Sequence, residues 1–489
     1  MLILSILILY FALLLVIARL TGKNAGNDAF FRGNRNSKWY IVAFGMVGSS
    51  ISGVTFISVP GMIRDIDMSY MQTVMGFSIG YLVIAFVLLP LYYKLNLTSI
   101  YTYLGKRFGN NAYKTGAWFF LFSRITISAV RIYIVVVILQ ACFFDQYNIP
   151  FFITTSILVG LIWAYTFKSG IKTIVWTDVV QTLFLLMALI LIIWQTASAL
   201  NLDFSGVIHT VKNSEHTHIF VFDDWQSKQY FFKQFISGIF ITIVMTGLDQ
   251  DMMQKNLTCR NLKDAQKNMC WYGFAFIPIN FLFLCLGVLL LVFSAQTGLQ
   301  LPGSGDGILP MIATEGYLGA GVLILFMLGI TAASFSSADS ALTALTTSFC
   351  IDILNTEKYT PERSKKIRMQ VHLWISVVFI LIIYLFKVSD SRSIIDALYV
   401  VVSYTYGPLL GLFAFGLFTK TLVKDNLVPY ICIASPIICL IINQSAHYFN
   451  YSFGYELLML NGFITMTGLW CIRKKQPFYG NKNSRICNQ

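Results

Sequence analysis

The stretch Gly45-Met46-Val47-Gly48-Ser49-Ser50-Ile51-Ser52-Gly53-Val54-Thr55 lies inside an otherwise apolar run covering about residues 40–62. Its reading decides the fold. Irregular backbone at membrane depth is tolerated only where it is buried in protein or lines a cavity. Carbonyls freed at such a break can coordinate a cation. Two readings stand side by side here. Either the span is broken and holds a cation and part of a solute pocket, or Gly45 to Gly53 form a small-residue packing face of the GxxxG kind.

The chain around this stretch is built for a bilayer. It has 489 residues, 56% hydrophobic and 12% charged, and a mean hydropathy of +0.69. A soluble domain carries roughly 25% charge. Thirteen apolar segments, each near the roughly 20 residues a bilayer needs, run over about 2–20, 40–62, 70–93, 115–142, 150–168, 173–199, 231–254, 270–296, 318–348, 370–388, 395–418, 427–446 and 454–472. The first lacks a basic leader and a small-residue cleavage site, so it reads as a retained span. The nine cysteines are scattered without a CxxC pair and read as packing residues.

The net charge of +13 points to membrane topology and not to nucleic acid, because of where it sits. With the loops numbered alternately, one set carries 27 of the 35 Lys and Arg residues and the other set 6. The remaining two, Arg124 and Arg131, lie inside a span. The positive-inside rule places the N-terminus outside and the C-terminus in the cytoplasm. The run 99–109 is amphipathic and basic and reads as a short interfacial helix. Lys255 to Lys267 reads as a basic loop.

Chemistry-bearing residues within the spans are few. Arg124 and Arg131 are seven apart and share a helix face, about 10 Å apart along the axis. A charge at the bilayer centre costs at least about 3 kcal/mol, so it has a partner or a task. Arg124 is better explained by a structural ion pair or a helix-capping contact to carbonyls. For Arg131 a structural role and contact with an anionic solute weigh equally. Asp178 sits one to two turns inside its span and suits a cation site or a salt bridge, with a hydrogen bond to a neighbouring helix as the bland alternative. Around 331–343 the sequence TAASFSSADSALT places the Ala333 carbonyl and the Ser336 and Ser337 hydroxyls on one helix side, three of the five oxygens a compact sodium site uses. Ser and Thr hydroxyls back-bonded to the preceding turn are the bland alternative. Ser403 to Pro408 reads as another irregular helix. The five His residues do not converge as an integral-membrane enzyme would need, and no short filter motif suggests a channel.

Six runs then carry a resemblance: SISGVTFISVPG (50–61), SIYTYLGKRFG (99–109), GIKTIVWTDVVQ (170–181), TGLDQDMMQKNLTCRNLKDAQKN (246–268), AASFSSADSALTALTTSFCIDI (332–353) and YGPLLGLFAFGLFTK (406–420). In order and spacing they resemble the solute:sodium symporter family over about residues 1–470. The resemblance implies an all-α membrane protein with a LeuT-like core of two inverted five-helix repeats, about 39–200 and 230–420. One extra helix precedes the core and two follow, giving a single transporter domain over 1–472 and a cytoplasmic tail over 473–489. It implies a sodium-coupled symporter of a small organic solute, with Na+ and the lipid bilayer as partners. The implied common sodium site uses the carbonyls of Gly48, Ile51 and Ala333 with Ser336 and Ser337. Asp178, Asp339 and Ser340 fall where a second cation site would draw ligands; Asp339 could instead hold a proton or pair with Arg124. Ser50, Ser52 and Thr55 flank the break where solute binds. Arg131 lies where the family's sialic acid carriers place an arginine for the substrate carboxylate. Val54 and Thr55 stand where sugar carriers have acidic and amide residues, which weakens a neutral-sugar assignment. A neutral-sugar carrier and a proton-coupled variant using Asp178 and Asp339 are the alternatives.

Overall fold

The structure, a computed structural model, describes residues 2–22, 26–168, 170–389, 394–446, 448, 451 and 453–474. The expected tail over 473–489 lies almost wholly outside the described residues. Outside the helices, strand-like pairing among the described residues is limited to two isolated bridges, Ser37 with Cys259 and Val423 with Arg473. The membrane helices are α1 (Leu2–Thr21), α2 (Trp39–Ser50), α3 (Gly53–Ile66), α4 (Tyr70–Val83), α5 (Asn110–Leu139), α6 (Phe151–Thr166), α7 (Ile171–Ala199), α8 (Phe231–Thr242), α9 (Gln250–Asn256), α10 (Leu262–Thr297), α11 (Gly319–Ser348), α12 (Pro361–Ser389), α13 (Ile394–Phe418), α14 (Val428–Ala446) and α15 (Leu457–Cys471).

Among the described residues, nine helices are long and apolar enough to cross a membrane, and ten if one bent pair counts as a span. The expected thirteen is not reached on that measure. Three further apolar helices, α2, α6 and α15, have only 10–17 residues. Breaks shorten some elements, since a helix interrupted inside protein need not present twenty consecutive apolar residues.

The first interruption falls where the Gly/Ser stretch predicted it. Ile51 and Ser52 are extended, with ψ of 94° and 170°, and separate α2 from α3. The packing reading of the same stretch holds as well. A Cβ at Gly48 would lie 2.0 Å from Thr182 Oγ1 on α7, and one at Gly53 would lie 2.1 Å from Ser334 Oγ on α11. These glycines let the broken helix lie against α7 and α11 at backbone distance. The second interruption lies between α8 and α9, where Phe231–Gly247 and Gln250–Asn256 meet at 70°.

Three expectations are corrected. The segment after α4 is not a lipid-interface helix: Ser99, Ile100, Tyr101 and Leu104 are fully buried. Tyr101 donates to the Leu248 carbonyl (2.9 Å), and Gln250 Oε1 accepts from the Ile100 amide (2.9 Å). Its apolar face covers the second break instead of lipid. Lys255 does not open a basic loop: every residue of α9, Lys255 included, is buried. And α13 runs unbroken through Pro408. Proline removes the bond to the carbonyl four residues back; here Asn461 Nδ2 on α15 donates to the carbonyls of Tyr404 (3.0 Å) and Ser403 (2.9 Å). A neighbouring amide thus satisfies what proline frees.

The first helix stands at the edge. Leu7, Tyr10 and Leu14 are its buried apolar face. It packs through Tyr10 on Phe184 of α7 (ring centroids 5.7 Å apart) and Phe11 on Phe335 of α11 (4.9 Å). Leu9 and Leu20 are exposed, as a lipid-facing side requires.

Candidate functional site

The two breaks face one another across a cavity of about 90 Å³. That is below the roughly 300 Å³ at the low end of ligand clefts. Its lining includes Ser50, Ser52 and Thr55 from the first break and Arg131 from α5. Residues distant in sequence are therefore brought together as the residue types predicted. Arg131 is only 8% exposed, and it lines the cavity together with Arg124 of the same span. Ser52 caps α3 by accepting from the Thr55 amide (3.4 Å).

Sequence reasoning missed the aromatic wall of the cavity. Tyr70 and Tyr81 of α4, Tyr272 of α10 and Thr242 and Thr246 near the second break also line it. Ser50 Oγ and the Tyr272 hydroxyl are 2.5 Å apart, and the Tyr272 and Tyr81 hydroxyls 2.8 Å. The signal was present: single tyrosines within apolar runs, each needing a partner for its hydroxyl once buried.

The floor of the cavity is an ionic cluster. Arg124 pairs with Asp251, and with Asp249 at 3.4 Å. Tyr406 donates to the same Asp249 carboxylate (2.5 Å). Arg124 and both acids are at most 2% exposed. This gives Arg124 the ion pair expected of it, with α9 as the partner element. It also removes the pairing of Arg124 with Asp339. Asp339 instead accepts from the Tyr165 hydroxyl (2.8 Å) and from its neighbour Ser340 (3.3 Å).

Beside the floor lies a second buried cluster, built on Asp178 of α7. One carboxylate oxygen accepts from Ser336 Oγ (2.6 Å) and the other from Ser49 Oγ (3.0 Å). Lys255 Nζ stands 2.7 Å from that second oxygen and also donates to Ser49 Oγ. Four elements, α2, α7, α9 and α11, meet at this one carboxylate. The break in the first span leaves the last-turn carbonyls of α2 without helical partners. Ser337 Oγ takes up one of them, donating to the Ser49 carbonyl (2.9 Å). Gly48 and Ile51 lie close to Ser49 on the broken chain, and Ser336 and Ser337 of α11, the latter four residues after Ala333, both contact Ser49. The printed contacts of this junction are hydroxyls and one carbonyl from α2 and α11, set beside the Asp178–Lys255 pair.

Two broken helices, a hydroxyl-rich junction between them and a cavity at the breaks are features that secondary transporters share. The sodium:solute symporter family model matches residues 30–425, and the chain belongs to that family. It is thus a multi-pass membrane protein that couples sodium to the transport of a small organic solute, and not an enzyme. Relatives include the sodium/sialic acid symporter SiaT of Proteus mirabilis, 26% identical over 84% of this chain and 83% of that protein. The sodium/sialic acid symporter NanT of Aliivibrio fischeri is 26% identical over 81% and 79%. The human sodium/iodide cotransporter is 22% identical over 81% of this chain and 62% of its own. Among solved structures, a substrate-bound, outward-open Na+-coupled sialic acid symporter superposes with a TM-score of 0.82, covering 97% of this chain and 99% of that one at 21% identity. The nucleobase-cation symporter Mhp1 in a closed conformation gives 0.57 over 89% and 92%, at 13% identity. Both carry the LeuT-like fold.

Proposed function

We propose that the solute is an acidic sugar or a comparable small carboxylate, bound through Arg131 beside the first break. The observation that carries this is the buried Arg131 guanidinium lining a cavity with the hydroxyls of Ser50, Ser52 and Thr55. An arginine offers a planar fork matched to a carboxylate, and hydroxyls suit a polyol. That relatives are named as sialic acid symporters supports the same class. Sodium is held by the carbonyls of Gly48, Ile51 and Ala333 and the hydroxyls of Ser336 and Ser337. Its binding joins α2 to α11, favours the outward-open state, and is followed by solute beside the break. Rocking of the bundles then exposes both to the other side.

Residues up to about 472 form one transporter unit with core repeats near 39–200 and 230–420. The end rich in basic loops faces the cytoplasm and the N-terminus lies outside, on the charge asymmetry of the loops. The test is uptake into proteoliposomes with and without an inward sodium gradient, using sialic acid, uronic acids, monocarboxylates, neutral sugars and amino acids. Sodium-driven uptake of an acid, abolished in Arg131→Ala, is the expected result. Sodium-driven uptake of a neutral sugar, or acid uptake surviving Arg131→Ala, overturns the arginine assignment.

A further inference from the structure

We infer that Lys255 is a tethered cation that fills the acidic seat beside the proposed sodium site, so that a single sodium ion binds where the acids of α7 and α11 would otherwise draw two. This rests on the sodium site proposed above and concerns what stands next to it. The seat is Asp178, whose two oxygens are both engaged. Ser336 Oγ holds one at 2.6 Å; Ser49 Oγ (3.0 Å) and Lys255 Nζ (2.7 Å) hold the other. Asp178 and Lys255 are each 1% exposed. A second metal ion at Asp178 would meet an ammonium already on that carboxylate, in a place where water screens little. Asp339 lies one helical turn beyond Ser336 and is hydrogen-bonded to Tyr165 and Ser340. Among the described residues no basic side chain forms an ion pair with it within 4 Å.

The tether gives the seat a further property. Lys255 ends α9, and the opposite end of α9 is held by Arg124 through Asp249 and Asp251. A free ion in the seat would leave with the cargo. An ammonium on α9 stays, so the carrier that has released sodium and solute returns with Asp178 still paired, where a bare carboxylate at that depth would be strongly unfavourable. Lys255 also touches Ser49, whose carbonyl accepts from Ser337. The tethered cation and the sodium site therefore share one residue of α2, and the position of α9 sets how the two are arranged.

The experiment is equilibrium binding of ²²Na+ to the purified full-length chain, with sodium-dependent thermal stabilisation as a second readout. Wild type is expected to bind one sodium per chain with a Hill coefficient of about 1. Lys255→Met keeps the stem and removes the charge; it is expected to bind a second sodium, with the Hill coefficient rising toward 2. The Asp178→Asn/Lys255→Met double variant removes both buried charges, so it stays foldable if the single variant is not, and it is expected to return to one sodium. Two sodium ions on wild type, or a double variant that still binds two, overturns the inference. So does a folded Lys255→Met that stays at one. Ser337→Ala separates the two layers: if wild type binds one sodium and Ser337→Ala leaves that ion in place, the proposed sodium site fails, whatever Lys255 does.

Discussion

The two ends of α9 are both held by buried charge, acid in excess at one and balanced at the other. At its start, Asp249 and Asp251 share one guanidinium, Arg124, and Tyr406 donates into the same cluster. At its end, one ammonium meets one carboxylate, Asp178, and the remaining partners are the hydroxyls of Ser49 and Ser336. The first cluster has more acid than base and spends its contacts on joining α5, α9 and α13. The second is charge-balanced, lined by hydroxyls, and adjoins carbonyls released by the first break. An arginine fork between carboxylates makes a lock; a compact ammonium among small oxygens stands where a monovalent ion could also stand. The same seven-residue helix thus carries the Arg124 cluster at one end and, at the other, the Asp178 pair that adjoins the proposed sodium site.

The largest effect is expected at the lock. Arg124→Met leaves Asp249 and Asp251 buried without their cation, which costs about 3–5 kcal/mol for the loss of one partner. Melting in detergent should drop markedly, and an unchanged melting temperature would mean that the acid end holds nothing together. Next comes the junction of α2 and α11. Ser337→Ala removes a proposed sodium ligand together with its 2.9 Å bond to the Ser49 carbonyl. The expected result is at least a ~10-fold rise in the sodium concentration for half-maximal uptake, equivalent to about 1.4 kcal/mol, while the melting temperature without sodium changes little. Unchanged sodium dependence would move the ion away from α11. The smallest effect belongs to the cavity wall. Tyr272→Phe deletes the hydroxyl that links Ser50 to Tyr81, a loss of about 1 kcal/mol. Apparent solute affinity should fall about fivefold with sodium dependence intact; a change in sodium dependence instead would show that wall and ion seat are not separable.

Much of this was legible because membrane sequences tolerate few exceptions. Gly48, Ser49, Ser52 and Gly53 within an apolar span had to mean close packing or a break, and the structure uses both. Arg124, Arg131 and Asp178 stood out because charge at membrane depth must be paired or employed. Lys255 did not stand out. It follows Asp249 and Asp251 and precedes Arg260, Lys263 and Lys267, so it looked like the first residue of a basic loop. Nothing local marks the 70° bend that turns it inward. Pro408 failed in the opposite sense. It looked like a break, but Asn461, more than fifty residues away, supplies the donors that keep α13 whole.

Composition, hydropathy and loop charge by themselves determined that the chain is an all-helical membrane protein, and the small-residue and hydroxyl patterns determined where its first span opens. Those are short-range consequences of solvation: lipid penalises any unsatisfied polar group, so each exception announces itself in the sequence. Which exceptions meet was decided only by the tertiary structure. Asp178 with Lys255, Arg124 with Asp249 and Asp251, and Arg131 with the Ser52 turn are pairings between elements far apart in the chain. Each charge could have been satisfied by several partners. The packing of α7 and α11 against Gly48 and Gly53, and the turn between α8 and α9, bring the two acidic clusters within ion-pair distance and set Arg131 in the same cavity as Ser52.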